Sequence, residues 1–200
     1  GNAQDFGDLT RDEYDQRGCG SPTRCIIFIK DRNIDFVTFA TTGNGTDFGD
    51  TIAENANISA CSDSTRGIRM GGGPTNEYIT IATLGNSQNF GSLTATSTQG
   101  HAVSDSKRGV ISLGDNGSRT NAMDYITIQT TGNAQDFGDL ITAKTFFASC
   151  SNATRGLFGS GYVAPANVNT IEFITIASTG NAQDFGDLTV ARRNGRAACS

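Results

Sequence analysis

The triplet Asp-Phe-Gly recurs along the chain and carries acidic side chains that could do chemistry. The same triplet holds magnesium in protein kinases, and pairs such as Asp136 with Asp139 offer the oxygen ligands that calcium prefers. The sequence contains neither the phosphate-binding glycine loop nor the catalytic loop that kinases need beside the triplet. Its recurrence therefore predicts a structural role for the aspartates. They are Asp5, Asp47, Asp136 and Asp184.

An arginine recurs in the same way. A repeated arginine that faces a repeated aspartate most simply forms a bidentate ion pair, so we expect such pairs within or between repeats in preference to a metal site. The third repeat has Asn89 and Ser92 in place of the acids but keeps its arginine, which makes it an internal control. The arginines are Arg24, Arg66, Arg108 and Arg155.

Three of the five cysteines share one repeat position. Cys19, Cys61 and Cys150 each precede a threonine by four residues, and Val103 fills this position in the third repeat. A position that also accepts valine is typical of a protein core. We therefore expect buried thiols in preference to disulfides or a zinc site.

The other chemically distinctive side chains lie outside this pattern. Cys25 stands where the other repeats have glycine, and Cys199 is one residue out of register. His101 is the one histidine, and no repeated Ser or Cys accompanies it, so we expect a loop residue and not a catalytic base. The basic cluster at residues 192–196 is expected to be a solvated loop or a contact to an acidic neighbour. We predict neither an enzyme nor a cofactor.

Three recurring elements must position these side chains. The first is GNAQDFGDL, which contains the acidic triplet; the second is an alternation such as YITIATLGN; the third contains the arginine, as in SDSTRGIRM. The repeats are 42 to 48 residues long and start near residues 1, 43, 85, 132 and 180. We interpret residues 1–200 as a single repeat domain.

The second element has the period of two that a pleated strand requires. Phe36, Thr38 and Ala40 fall on one face, and Val37 and Phe39 on the other. Glycine-rich turns separate the elements, so each repeat predicts four short strands. The sequence thus predicts an all-β chain, a β-propeller with about four four-stranded blades, with a β-solenoid as the alternative.

The ends of the chain do not complete this pattern. In the second repeat the strands are expected near residues 61–62 and at 66–70, 78–82 and 89–93. Residues 1–9 then form an orphan fourth strand, and residues 197–200 form an orphan first strand. We therefore expect either a segment of a larger propeller or a protomer that borrows strands from a neighbour.

Composition and charge restrict the possible partners. The chain has 25 glycines, no tryptophan and only 18% charged residues, which is typical of an all-β protein. A net charge of −5 repels a polyanion, so we expect no nucleic-acid partner. The longest apolar run, residues 25–29, is far shorter than the ~20 residues that cross a bilayer, so we expect no membrane insertion.

The repeats resemble degenerate kelch repeats. YITIQTTGNAQDFGDLITAK and FITIASTGNAQDFGDLTVARRNGRAACS carry the kelch order of an aromatic strand, an aromatic residue, a leucine and an arginine segment. The kelch glycine doublet is intact only at Gly71 and Gly72. Phenylalanine stands where kelch proteins usually have tryptophan, at Phe48, Phe90, Phe137 and Phe185. The segments TGNAQDFGDLTVAR and CSNATRGLFG are similar to kelch-like repeats in virion structural proteins of tailed phages that infect marine bacteria and cyanobacteria.

This resemblance implies a virion structural protein. Its propeller would serve as a protein-protein interaction platform in the tail, neck or head surface, with other virion proteins or copies of itself as partners. The alternative is a lectin-like propeller, virion-borne or extracellular, that binds a host-surface glycan or receptor. The absence of tryptophan and the small number of tyrosines weaken a sugar-stacking site in every repeat.

Overall fold

The computed structural model describes residues 2–195, which form β-strands joined by turns and contain no helix. Sheet 1 consists of β1 (Arg17–Gly20), β2 (Arg24–Phe28), β3 (Asn33–Thr38) and β4 (Thr46–Asp50). Sheet 2 consists of β5 (Ile58–Ser62), β6 (Arg66–Gly71), β7 (Thr75–Thr80) and β8 (Gln88–Ser92). Sheet 3 consists of β9 (Ala102–Ser104), β10 (Arg108–Ser112), β11 (Ala122–Thr127) and β12 (Gln135–Asp139). Sheet 4 consists of β13 (Ala148–Ser151), β14 (Arg155–Gly159), β17 (Thr170–Thr175) and β18 (Gln183–Asp187), and the hairpin of β15 (Tyr162–Val163) and β16 (Ala166–Asn167) is inserted into it.

Each sheet is an antiparallel meander in which strands follow one another in chain order. The four strands expected in the second repeat are confirmed as β5 to β8, although β7 begins and ends earlier than expected. It ends at Thr80 because the chain turns there, with the Thr83 amide donating to the Thr80 carbonyl. The β-solenoid alternative is wrong, since it needs parallel strands and pairing in all four sheets is antiparallel.

The hydrophobic core lies between consecutive sheets and not within one of them. The cluster between sheets 1 and 2 joins Ile26, Phe28 and Phe48 to Ile58 and Ile79. Equivalent clusters join sheets 2 and 3, and sheets 3 and 4. A single four-stranded sheet has too little apolar area to be stable alone, so each sheet is stabilised by burying its faces against its neighbours.

The first strands of consecutive sheets lie beside one another, β1 next to β5, β5 next to β9, and β9 next to β13. All four contribute to the wall of one cavity of about 800 Å³. The described sheets thus form an ordered succession with a common inner side. This arrangement is the all-β fold that the repeats predicted.

Neither of the two expected orphan strands is seen in the described residues. Residues 2–9 form no strand, but they lie along sheet 1 and accept hydrogen bonds from its β3–β4 turn. The expected first strand at 197–200 lies outside the described residues. No helix in residues 2–195 is long and apolar enough to cross a membrane.

Candidate functional site

Three of the four repeated arginines contact the following sheet, but not through the aspartates. Each guanidinium lies over the aromatic ring of the third strand in its own sheet, 4.6 to 4.7 Å from the ring centroid. Three of them also donate to a carbonyl at the end of the next sheet's third strand. These bonds are Arg24 to Ile81 (2.9 Å), Arg66 to Ile128 (3.2 Å) and Arg108 to Ile176 (3.3 Å).

The expected ion pairs between the repeated arginines and aspartates are therefore wrong. The Asp47 carboxylate turns back on its own strand and accepts a hydrogen bond from the Gly49 amide (3.1 Å), and Asp5 and Asp184 bond Gly7 and Gly186 in the same way. In the third repeat the Asn89 amide oxygen takes this place (3.0 Å), which explains why the acid is dispensable there. The ion pairs of residues 2–195 join other residues: Arg11–Asp31, Arg17–Asp15, Arg69–Glu77 and Lys144–Glu172.

The Asp-Phe-Gly triplet, which is Asn-Phe-Gly in sheet 2, forms a β-bulge in each fourth strand. In sheet 1, Ile34 pairs with Gly49 and Asp35 with Asp47, so Phe48 is the extra residue. The bulge directs this phenylalanine into the junction with the next sheet. Phe48, Phe90 and Phe137 are 2 to 3% exposed, and each meets the ring of Phe36, Tyr78 or Tyr125 edge-on at about 6 Å.

The Gly-Asn pair of each repeat binds the bulge of the preceding sheet. The Gly85 amide donates to the Phe48 carbonyl (2.8 Å), and the Ser87 amide donates to the Asp50 carbonyl (2.8 Å). The Asn86 side chain accepts from the Asp50 amide (3.0 Å). We call this set of three bonds the turn latch. It recurs between sheets 2 and 3 and between sheets 3 and 4, and residues 6–8 make it with sheet 1.

The glycine of the triplet is required by the closeness of this contact. A Cβ on Gly49 would lie 2.6 Å from the carbonyl carbon of Gly85, and one on Gly91 would lie 2.1 Å from the Gly132 oxygen. These glycines also have φ near +140°, a region that other residues rarely adopt. The triplet and the Gly-Asn pair are therefore two halves of one contact.

A buried acid in each third strand was missed by the sequence analysis. In sheets 2 to 4 it accepts a hydrogen bond from the backbone amide of the second residue after the preceding fourth strand. In sheet 1 the donor is Thr10, which follows the non-strand segment 2–9. The bonds are Thr10 to Asp35 (2.8 Å), Ile52 to Glu77 (2.8 Å), Thr94 to Asp124 (2.7 Å) and Ile141 to Glu172 (2.8 Å). The available signal was an Asp or Glu directly before the aromatic residue of every second element.

These acids are of two types, which alternate along the chain. The aspartates Asp35 and Asp124 also accept from the hydroxyl of Thr10 or Thr94, both at 2.7 Å. The glutamates pair with buried cations, Glu77 with Arg69 (2.5 Å) and Glu172 with Lys144 (3.0 Å). Burial raises the pKa of Asp124 and lowers the pKa of both cations, although each glutamate opposes the latter effect.

The shared cysteine position packs against the following sheet. Its side chain lies above a glycine in the second strand of the next sheet. A Cβ built on this glycine would lie only 2.6 to 2.9 Å from the cysteine sulfur or the valine methyl group. The pairs are Cys19 with Gly67, Cys61 with Gly109, and Val103 with Gly156. Burial raises the pKa of Cys19, and raises that of Cys61 to about 12.

The remaining predicted residues lie in different surroundings. Cys19, Cys25, Cys61 and Cys150 line the common cavity, whereas Cys199 lies outside the described residues. His101 lies outside the strands but is buried, with its ring 4.9 Å from that of Phe147. In residues 2–195, no three His, Cys, Asp or Glu side chains converge to hold a metal ion.

The repeated side chains thus form sheet junctions, each made of a turn latch, a buried acid, an arginine on an aromatic ring, and a side chain seated on a glycine. These contacts bind one sheet to the next. No protein-family model and no curated protein matches the sequence of the chain.

Proposed function

We propose that this chain is a structural protein of a tailed-phage particle, in which the four sheets are blades of a kelch-like propeller that binds other proteins. The observation that carries the proposal is that the recurring motifs serve sheet-to-sheet contact. Among the described residues, the outer faces of sheets 1 and 4 expose aromatic side chains at equivalents of buried junction positions, Phe39 (55%) and Phe185 (51%). Exposed aromatic groups with a defined hydrogen-bond pattern beside them suit binding to another protein.

The phage origin is supported by the sequence resemblance described above. A rigid stack of small sheets suits a particle component, because its surface is presented in a fixed geometry.

Mass spectrometry of purified particles and immunogold electron microscopy test this proposal. Particles of the phage that encodes the chain are purified on a density gradient and searched for its peptides by mass spectrometry, and antibodies against residues 1–200 are used for gold labelling. We expect the peptides in the particle fraction and gold at one defined location. Peptides in the infected-cell lysate but not in purified particles would overturn the proposal.

One observation favours glycan binding as a second candidate. Equivalent clefts of about 250 to 340 Å³ lie beside the β7–β8 turn of sheet 2, the β11–β12 turn of sheet 3 and the β17–β18 turn of sheet 4. Each is lined by an aromatic residue, threonines, the Gly-Asn pair and a glutamine. Polar groups beside an aromatic ring are typical of sugar sites, but in sheet 2 Arg66 already covers one face of the Tyr78 ring.

A glycan array tests this candidate. Binding by the wild-type chain that is lost in Gln88→Ala and Gln135→Ala, and that is retained in the exposed-loop variant Ser118→Ala, would favour the lectin function. These glutamines lie at the clefts, whereas Ser118 lies in a turn outside them. Absence of binding on the array and to host cells would leave the protein platform as the function.

A further inference from the structure

Sheet 4 departs from the repeat through the hairpin of β15 and β16, which is inserted between its second and third strands. In sheets 1 to 3 the second strand is followed directly by the third. The hairpin is bound to the connection from sheet 3, since the Tyr162 amide donates to the Thr145 carbonyl (2.8 Å) and the Thr145 amide donates to the Tyr162 carbonyl (3.2 Å). Its residues take no part in the repeated junction contacts, so the packing of sheets does not account for it.

Two arginines from different parts of the chain meet on the ring of Tyr162. The Arg119 guanidinium carbon is 4.8 Å from the ring centroid, and the Arg193 guanidinium carbon is 4.9 Å from it. Arg119 belongs to the turn between β10 and β11 of sheet 3, whereas Arg193 follows the last strand of sheet 4. Both arginines are exposed in the described structure, and Tyr162 is half-buried. We call Arg119, Tyr162 and Arg193 the arginine–tyrosine site.

Backbone hydrogen bonds hold both arginines in place. The turn that carries Arg119 is closed by a bond from the Thr120 amide to the Gly114 carbonyl (3.0 Å). The carbonyl of the residue before Arg193 accepts a hydrogen bond from the Gly161 amide (2.9 Å), which ties this segment to the base of the hairpin. A site whose parts are already positioned loses less conformational entropy when a ligand binds.

Neither arginine of the site has an acidic partner among residues 2–195, where the ion pairs use other cations. Asp115, the acid in the same turn as Arg119, accepts a hydrogen bond from the Gly117 amide (2.9 Å) instead. The contact that each guanidinium makes is with the Tyr162 ring, which leaves its N–H groups for a ligand. Two positive charges on one ring repel each other, and an anionic ligand that contacts both would offset this repulsion.

We propose that the arginine–tyrosine site binds the carboxylate side chains of an acidic segment in a partner protein. A planar guanidinium binds a carboxylate through two parallel hydrogen bonds, and two guanidiniums can hold neighbouring acids of one segment. A long polyanion such as nucleic acid would also contact the rest of the chain, whose net charge is −5, whereas a short acidic segment interacts with the site alone. The inference rests on the proposed function and names the chemistry of one partner of that platform.

Arg192 provides a matched control for Arg193. It is the adjacent residue, it carries the same charge and it is also exposed, but its guanidinium does not lie on the Tyr162 ring in the described structure. Arg192→Gln and Arg193→Gln therefore change the net charge equally at neighbouring positions. A difference between their affinities reports the site and not the overall charge of the chain.

The test measures the binding of a short fluorescein-labelled polyglutamate peptide to the full chain by fluorescence polarisation at low ionic strength. We expect saturable binding, and no binding of a neutral peptide in which glutamine replaces every glutamate. Arg119→Gln and Arg193→Gln should each weaken binding about fivefold, whereas Arg192→Gln should change it less than about twofold. Binding should also weaken as salt is added, because exposed ion pairs are screened.

Two further variants test the role of the ring. Tyr162→Phe keeps an aromatic face for both guanidiniums and should bind the peptide nearly as well as the wild-type chain. Tyr162→Leu removes that face and should weaken binding, because the arginines are then no longer held together. Circular dichroism and urea unfolding of every variant check that the chain still folds.

Five results would overturn the inference. They are no saturable binding of polyglutamate, equal binding of the charged and neutral peptides, unchanged affinity in Arg119→Gln and Arg193→Gln, equal losses in Arg192→Gln and Arg193→Gln, and stronger competition by inorganic tripolyphosphate than by unlabelled polyglutamate. The last result would assign the site to phosphate groups. None of them decides whether the chain occurs in purified particles, so a failure of this inference is distinguishable from a failure of the proposed function.

Discussion

At the residue scale, a repeated position in this chain has the same neighbours in every sheet, so the repeats supply matched pairs of variants. Arg66 and Arg108 illustrate this. Their distances to the aromatic ring (4.6 and 4.7 Å) and to the next carbonyl (3.2 and 3.3 Å) are nearly equal, although only Arg66 belongs to a repeat with its aspartates intact. The arginines therefore stabilise the junctions independently of those acids.

We expect Arg66→Ala and Arg108→Ala to lower the free energy of unfolding equally, by about 1–2 kcal/mol, because each loses a ring contact and a carbonyl hydrogen bond. Arg155→Ala should cost less, since it loses the ring contact alone. Urea denaturation measures all three. A larger loss at Arg66 than at Arg108 would restore a role for the aspartates.

A second residue-scale prediction concerns Asn76. It is fully buried, and neither atom of its side-chain amide has a hydrogen-bond partner in the described structure. Other sheets have Ile34, Met123 or Ile171 at this position. We expect Asn76→Leu to raise the free energy of unfolding by about 1–3 kcal/mol, measured in urea, because it removes an unsatisfied buried amide.

Asn33 is the matched control for Asn76. It is also buried, but its amide donates to Thr10 (2.9 Å) and to Asp35 (2.7 Å). Asn33→Leu should therefore destabilise the protein. If both variants shift stability in the same direction, hydrogen bonding does not distinguish the two sites.

At the element scale, the junction depends on close approach of two backbones. Gly138 and Gly186 have nearly the same φ, +132° and +133°, so alanine strains both to a similar extent. A Cβ on Gly138 would lie 2.6 Å from the Gly180 carbonyl carbon, whereas one on Gly186 would meet nothing within 4 Å. We expect Gly138→Ala to be the more destabilising by about 1–3 kcal/mol in thermal or urea unfolding. If the two variants lose equal free energy of unfolding, the close backbone contact at Gly138 adds nothing to the cost of backbone strain.

The buried acid Asp124, between sheets 2 and 3, makes stability depend on pH. Because burial raises the pKa of Asp124 in the folded state, folded Asp124 binds its proton more tightly than unfolded Asp124. Its contribution to stability is therefore greatest below the unfolded value of 3.8 and is lost as pH rises through the folded pKa. Asp124→Asn keeps an acceptor for the Thr94 amide and should flatten this slope, measured by urea denaturation from pH 3 to 7. If the pH dependence of the free energy of unfolding is unchanged in Asp124→Asn, it arises from other titratable groups.

The elements could be predicted from the sequence, but their contacts could not. Period-two alternation around Phe36 and glycine-rich turns are local signals, so the strands follow from them. The turn latch joins Asp50 to Asn86, which lie in different sheets, and a repeat pattern marks both residues without showing that they touch. The arginines were assigned to charged partners because charge is visible in a sequence, whereas a backbone carbonyl acceptor such as that of Ile128 is not. The buried acids were not predicted because their residue type changes between Asp and Glu. Their role is visible only from their contacts with residues such as Thr10 and Arg69.

At the scale of the whole molecule, stability should be close to a sum of sheet and junction contributions, because each sheet packs on its neighbours only. A chain that ends after residue 141 lacks sheet 4 but keeps the three preceding sheets intact. We expect it to fold with a lower free energy of unfolding and a smaller urea m-value, since less surface is buried. Its Phe137 should become as exposed as Phe185 is in the full chain. Complete loss of cooperative unfolding would show that sheet 4 is needed by all the others.

The turn latch has a consequence for how such proteins change over generations. Its bonds involve backbone amides, backbone carbonyls, a glycine and an asparagine, and the same ten residues open and close the stretch from residue 1 to residue 189. Unequal recombination between two repeats therefore adds or deletes a whole sheet and leaves matching faces at the new joint. A gene of this kind can vary in length by units of 42 to 48 codons while its product still folds.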